Sequence, residues 1–132
     1  MAKQKQLTVE HLWQCERIGT PSVSPDGKWV VVDQTTYSMD TNESATQLWM
    51  YSTDGKTRKQ LTSAGKKNTA PQWSPDGKAI AFCAKRDGDD ASQLYVIAPD
   101  GGEARRVTKL SNGVGSIRWF PDSKRIAAIS WV

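Results

Sequence analysis

The chain of 132 residues is poor in the side chains from which catalytic and metal sites are usually built. It has a single histidine, His11, and only two cysteines, Cys15 and Cys83. Two cysteines in different sequence contexts do not form the disulfide framework of a small secreted domain, so we expect two buried thiols. His11 lies in a short predicted helix and is expected to be a surface or packing residue. We predict no catalytic, cofactor-binding or metal-binding residue and no cofactor.

The chain also lacks a long apolar run. Without about 20 consecutive apolar residues, no transmembrane helix is predicted. The start of the chain, 1–7, carries charges but is not followed by an apolar stretch, so it does not have the pattern of a secretory signal. A cytoplasmic location is therefore the expectation.

Known catalytic and ligand-binding motifs are missing as well. There is no Gly-x-Ser-x-Gly sequence, and Gly65-Lys66-Lys67 lacks the rest of a phosphate-binding loop. The acidic run Asp87-Gly88-Asp89-Asp90 resembles a calcium loop only in part, because the later glycine and the bidentate glutamate are absent. We interpret this run as a solvated turn; the alternative is a weak cation site.

The charge balance does not favour nucleic acid as a partner. The net charge is +4, from 18 basic and 14 acidic residues, and the basic residues are scattered near predicted turns and outer strands. A nucleic-acid interface would need a continuous basic face with aromatic residues between the charges. The six tryptophans, Trp29, Trp49, Trp73 and Trp119 among them, are expected to pack in the core.

An internal repeat is the most informative feature that the sequence does contain. The motif Ser24-Pro25-Asp26-Gly27-Lys28 recurs at 74–78 and, in altered form, at 120–124. Residues 47–86 align on 93–132 without a gap, with eleven identities in 40 positions. A period in the mid-forties is the size of one four-stranded propeller blade. The four additional residues of the first repeat fall within 34–46, which predicts a longer loop there.

The repeat can be divided into strands and turns. The segments 29–32, 78–84 and 126–129 are apolar on both alternating faces, which predicts strands covered on both sides. Asp54-Gly55 and Asp100-Gly101 predict hairpin turns. The repeat motif itself predicts a turn, and Ser123 in the third copy leaves the type of that turn open. The motif residues that we single out are Pro25, Asp26, Gly27, Trp73, Pro75, Asp76, Gly77, Trp119, Pro121 and Asp122.

The predicted fold class is all-β. We expect a partial β-propeller of about two and a half four-stranded antiparallel blades, preceded by a short N-terminal helix over 9–17 that Thr8 caps. The predicted boundaries are a lead-in segment at 1–17, blade 1 at 18–62, blade 2 at 63–109 and the first half of blade 3 at 110–132.

The segments Trp73–Phe82, Gln93–Ile97 and Asp100–Thr108 resemble the WD-like blades of TolB-type propellers. With the lead-in 7–13 and the first blade start at 18–27, the chain is similar to the beginning of acylaminoacyl-peptidase-like members of the prolyl oligopeptidase family. This resemblance implies an N-terminal propeller that gates a C-terminal α/β-hydrolase domain, which in that family is a serine peptidase acting on short peptides. No residue of the catalytic triad can be placed on this sequence, so the chain is not expected to hydrolyse peptides alone.

Two other interpretations remain open at this stage. The chain could instead be a fragment of a non-catalytic TolB-like propeller that binds a protein partner, although such proteins are usually exported and the start of the chain does not have the pattern of a secretory signal. It is also compatible with a stand-alone β-module that assembles through its edges. Because closed propellers have 4–8 blades, two and a half blades leave an unpaired strand, and we expect a homo-oligomer formed through exposed strand edges.

Overall fold

The computed structural model describes residues 6–132, in which one short helix precedes three antiparallel sheets that follow one another along the chain. The elements, in chain order, are α1 (Val9–Gln14), β1 (Arg17–Ile18), β2 (Ser22–Val23), β3 (Trp29–Ser38), β4 (Glu43–Ser52), β5 (Arg58–Gln60), β6 (Asn68–Trp73), β7 (Ile80–Ala84), β8 (Gln93–Ile97), β9 (Arg105–Arg106), β10 (Ser116–Trp119) and β11 (Ile126–Ile129).

Within each sheet, strands that are consecutive in sequence are neighbours in space. The first sheet has the order β1-β3-β4-β5, and β2 also pairs with β3, so β1 and β2 share its innermost position. The second sheet is β6-β7-β8-β9 and the third is the pair β10-β11. This arrangement confirms a partial β-propeller of about two and a half blades. The exact blade boundaries stay predictions, and the first five residues of the lead-in lie outside the described residues.

Helix α1 is shorter than predicted. Thr8 caps it as expected: its hydroxyl accepts from the His11 amide, and the His11 ring accepts from the Thr8 amide. The predicted continuation to residue 17 is wrong, because Cys15 is already extended and Arg17 pairs with Thr35 in the sheet. Backbone pairing of β1 with β3 therefore replaces the last helical turn.

The polar stretch at 34–46 is not the longer loop that we predicted. Strands β3 and β4 pair without interruption from Trp29↔Ser52 to Ser38↔Glu43, so the additional residues lengthen a hairpin instead. The threonines in this stretch favour this outcome, because β-branched side chains suit a strand and pair across it. The hydroxyls of Thr35 and Thr46 lie 2.8 Å apart on neighbouring strands.

Strand β7 lies at the centre of two cores. All five of its residues are buried. Ile80 and Phe82 pack towards the first sheet, whereas Ala81 and Cys83 pack towards the third. Because successive side chains in a strand point to opposite faces, this alternation requires apolar residues at every position. The prediction that β7 is covered on both faces is confirmed.

The same prediction is wrong for β11. Ala127, Ala128 and Ile129 are exposed, and Ile129 retains 63% of its surface. No described segment packs on the far side of the third sheet, and Ile126 is the residue of β11 that packs against the core shared with β7. The apolar sequence of β11 matches a strand with two neighbours, of which the described residues supply one.

Only some of the cysteines and tryptophans are buried, although we expected all of them to be. Cys83 is buried, and burial raises the pKa of its thiol, but Cys15, which follows the exposed helix α1, is itself exposed. Trp73 is buried, and Trp29 and Trp119 pack against the two cores. Trp13 and Trp131 are exposed, which contradicts a core role for all six.

Candidate functional site

The repeat-motif residues form a row of turns that touch one another. We call this surface the turn face and define it as residues 24–28, 52–56, 74–78 and 120–124. The Thr53 hydroxyl donates to the Gly27 carbonyl at 2.9 Å, and the Asp76 amide donates to the Ser123 hydroxyl at 3.0 Å. Gly77 lies against the Pro25 ring. These contacts join all three sheets at one end of the molecule.

Each Ser-x-Asp-Gly-Lys turn is held by its serine and aspartate. In blade 2 the Ser74 hydroxyl donates to Asp76 Oδ1 at 2.6 Å and accepts from the Ala79 amide at 3.0 Å, and the same bonds recur around Ser24 in blade 1. The hydrogen bond from Ser24 lowers the pKa of Asp26, and that from Ser74 lowers the pKa of Asp76. Both aspartates therefore stay ionised in mildly acidic solution.

The third copy of the turn has the same backbone form in spite of its different residue. Ser123 takes φ 56°, close to the 71° of Gly27 and Gly77, although a side chain disfavours this region. Its hydroxyl compensates by accepting the Asp76 amide, a bond that glycine cannot form. The third turn, whose type the sequence left open, therefore resembles the other two, with Ser123 in the left-handed region that glycine occupies there.

The predicted hairpin turn at Asp54-Gly55 is a further copy of this turn, which was not recognised from the sequence. Ser52 donates to Asp54 at 2.6 Å and accepts from the Thr57 amide at 2.9 Å, as in the recognised turns. The sequence 52–56 reads Ser-Thr-Asp-Gly-Lys, so the signal was present and only the proline was missing.

The two repeat tryptophans join neighbouring blades. The indole Nε1 of Trp119 donates to the Gln72 carbonyl at 3.1 Å. Trp73 is joined to blade 1 through its backbone, because its amide donates to the Ser22 hydroxyl at 3.2 Å. Trp73 lines one cavity together with Asp26, Asp76 and Gly77, and it lines a second cavity together with Trp119.

An open cavity of about 460 Å³ lies between blades 1 and 2 beside the turn face. We call it the inter-blade cleft. Its apolar walls include Trp29, Met50 and Trp73, and its charged residues are Lys59 and three aspartates. Lys59 crosses from blade 1 to blade 2, where its ammonium donates to the carbonyls of Pro99 at 3.3 Å and Asp100 at 2.8 Å.

A more polar cavity of about 630 Å³ lies among the innermost strands. Asp33 and Arg118 are its charged residues. The Asp33 carboxylate accepts the Ala70 amide at 3.2 Å through Oδ2, while Oδ1 is buried against Gly19 without a donor. The Asp33 carboxylate therefore joins blade 1 to blade 2, and its Oδ1 atom is buried and not available to a ligand.

The acidic run 87–90 is not simply a solvated turn. Asp89 is buried and accepts from the Tyr95 hydroxyl and from Arg106, each at 2.6 Å, and from the Arg86 amide at 3.1 Å. Burial opposes ionisation of Asp89, but these hydrogen bonds outweigh it and lower the pKa. The carboxylate is thus committed to protein groups, and within residues 6–132 no group of three or more His, Cys, Asp or Glu is placed to hold a metal.

His11 belongs to the cap of α1: its ring nitrogen accepts from the Thr8 amide and lies 3.1 Å from the Thr8 hydroxyl. None of the helices in 6–132 has the length and apolar character needed to cross a membrane.

Comparison with known proteins identifies the family. The model of the TolB β-propeller domain, PD40, matches residues 7–131, so this chain belongs to that family. It is 39% identical over 83 residues to dipeptidyl-peptidase 5 of Porphyromonas endodontalis, a match that covers 63% of this chain and 12% of that protein. It is 32% identical over 85 residues to an uncharacterized peptidase of Bacillus subtilis, covering 64% and 13%.

Solved structures agree on the fold. Acylaminoacyl peptidase of Pyrococcus horikoshii superposes with a TM-score of 0.72 at 23% identity, covering 90% of this chain and 18% of that one. The expected relation to propellers of acylaminoacyl and dipeptidyl peptidases is confirmed. The chain spans about one eighth of the length of the curated relatives that it matches.

Proposed function

We propose that this chain is an N-terminal propeller segment of a serine peptidase of the prolyl oligopeptidase type, in which it gates and supports the catalytic domain. The single observation that carries the proposal is the similarity over more than 80 residues to proteins named as peptidases, within a region that a propeller model covers. Similar folds serve different functions, so the sequence relation supports the proposal more strongly than the superposition does.

The partners follow from the same proposal. The exposed far face of β11 would be covered by further propeller blades, and an α/β-hydrolase domain would supply the catalytic residues that we could not place in this sequence. The substrates would be short peptides, which fit through a propeller channel that excludes folded proteins. A cytoplasmic location is also a proposal, and fractionation of the source cells would test it.

The decisive experiment begins with the reading frame that contains this chain. We expect further blades followed by Gly-x-Ser-x-Gly, an aspartate and a histidine. The protein from that frame should hydrolyse chromogenic dipeptidyl or acylaminoacyl substrates, and the 132-residue chain should not. Cleavage of short peptides but not of a folded protein would support gating.

A frame that encodes blades and no hydrolase domain would overturn the proposal and favour a propeller that binds a protein partner. Hydrolysis by the 132-residue chain itself would equally contradict it, because the catalytic residues would then have to lie within this sequence.

A further inference from the structure

The inter-blade cleft has an aromatic lining that the next cleft along the repeat does not reproduce. Trp29 of blade 1 and Trp73 of blade 2 both line it. At the position of Trp29, 50 residues further on, blade 2 has Ala79. The pair of tryptophans is therefore particular to this cleft, and despite their size a cavity of about 460 Å³ remains open between the blades.

The charged residues that line the cleft are mostly negative, whereas Lys28 and Lys78, which act on Asp26 and Asp76, do not line it. Asp26, Asp76 and Asp100 outnumber the one ammonium group, Lys59, which already donates to two backbone carbonyls. The Oδ1 atoms of Asp26 and Asp76 hold their own turns, but no donor among residues 6–132 reaches the Oδ2 atom of either. Both aspartates have a lowered pKa, so these free oxygens carry negative charge at neutral pH.

Trp73, which lines both this cleft and the more polar cavity, keeps an unused hydrogen-bond donor. Trp73 is nine-tenths buried, and its indole Nε1 has no acceptor in the described structure. The equivalent Trp119 Nε1 does have one, the Gln72 carbonyl. A buried donor without a partner costs free energy, and the carbonyl oxygen of a bound peptide is an acceptor that would satisfy it.

From these three observations we propose that the inter-blade cleft binds a basic side chain, arginine or lysine, of a peptide segment. Tryptophan faces attract organic cations, and carboxylates add charge-assisted hydrogen bonds to the same group. Anionic ligands are disfavoured by the three aspartates. The cleft lies between two complete blades, so the proposal does not depend on the peptidase assignment.

The test compares a charged peptide group with its neutral isostere on the 132-residue chain. N-acetyl-arginine methylamide and N-acetyl-citrulline methylamide differ in the guanidinium group alone. Binding is followed through the indole N–H signals of ¹⁵N-labelled protein, assigned with Trp29→Phe and Trp73→Phe. We expect saturable shifts of the Trp29 and Trp73 signals with the arginine compound, and about tenfold weaker binding of the citrulline compound.

Variants locate the site. Asp26→Asn with Asp76→Asn removes two charges but keeps the Oδ1 acceptors of both turns, so the fold should persist while arginine binding weakens about tenfold. Asp122→Asn is the matched control in the third turn, outside the cleft, and should bind like the parent chain. The proposal would be overturned if the citrulline compound bound as tightly as the arginine compound, or if the shifts were centred on Trp119 or Trp131. Because the two compounds are compared on the parent chain, the test decides even if the double variant fails to fold.

Discussion

Gly19 lies so close to the carboxylate of Asp33 that any side chain at its position would displace this carboxylate. An added Cβ atom would stand 1.7 Å from Asp33 Oδ1, so Gly19→Ala must displace the carboxylate and weaken its bond to the Ala70 amide. We expect a loss of about 1–3 kcal/mol in the free energy of unfolding, measured with urea. Gly115→Ala is the matched control, because its nearest neighbour is the Ile129 carbonyl at 3.8 Å. An equal loss in both variants would contradict this account.

The buried carboxylate of Asp89 makes stability depend on pH. Its pKa is lowered in the folded chain, so its contribution is present above the ordinary carboxyl pKa and is lost as the pH falls through the lowered value. Asp89→Asn should lower the free energy of unfolding by about 1–2 kcal/mol at pH 7, because Arg106 and Tyr95 lose a charged acceptor.

The difference between Asp89→Asn and the parent chain should shrink when urea unfolding is repeated below the ordinary carboxyl pKa of about 4. Asp90→Asn, which alters the exposed neighbour, should change little at either pH. A difference that persists undiminished in acid would show that ionisation of Asp89 is not its source.

At the scale of the element, a glutamine and a threonine attach the outer strand of each complete blade. The Thr62 hydroxyl accepts the Leu48 amide at 2.9 Å and donates to Gln47 at 2.8 Å. Thr108 repeats both bonds with Leu94 and Gln93 at the same distances. The two pairs are identities in the repeat alignment, so the repeat conserves a polar attachment as well as turns and core positions.

Removing that hydroxyl should loosen the outer strand. Thr62→Val has nearly the same shape but leaves the Leu48 amide without its acceptor and removes one of the two donors to Gln47 Oε1, and Thr62 is buried. We expect a loss of about 1–3 kcal/mol in the free energy of unfolding and faster hydrogen exchange of the Leu48 and Leu61 amides. Thr62→Ser retains the hydroxyl and should recover most of the loss. If Thr62→Val were as stable as the parent chain, the hydrogen bonds of the hydroxyl would not hold the outer strand.

The sequence predicted the elements that depend on local signals and missed those that depend on partners. Turns were predictable because Asp-Gly and the repeat motif determine local backbone angles. The end of α1 and the length of the β3–β4 hairpin were not, because pairing with another strand decides both. The inter-blade cleft was also beyond reach, since it forms between Trp29 and Trp73, which no sequence spacing brings together.

For the molecule as a whole, the two sides of the stacked sheets differ in how well they are covered. The second sheet is covered on both faces, whereas the third exposes an apolar face and the free edge of β11. Trp131 is also exposed on this side, at 77%. Unpaired edges next to exposed apolar residues favour association with another chain. In a longer parent protein the same surface would be covered by the next blade.

The isolated 132-residue chain should therefore associate with itself through β11. We expect its mass, measured by light scattering, to rise with concentration. Ile129→Lys should weaken this association about tenfold or more, because it removes an exposed apolar side chain from the edge and adds a charge that opposes pairing. Met39→Lys is the matched control: Met39 has nearly the same exposure, 61%, but lies at the tip of the β3–β4 hairpin. If both variants dissociate equally, general solubility and not the β11 edge governs association. If the unsubstituted chain stays monomeric at high concentration, the open third sheet does not recruit a second copy.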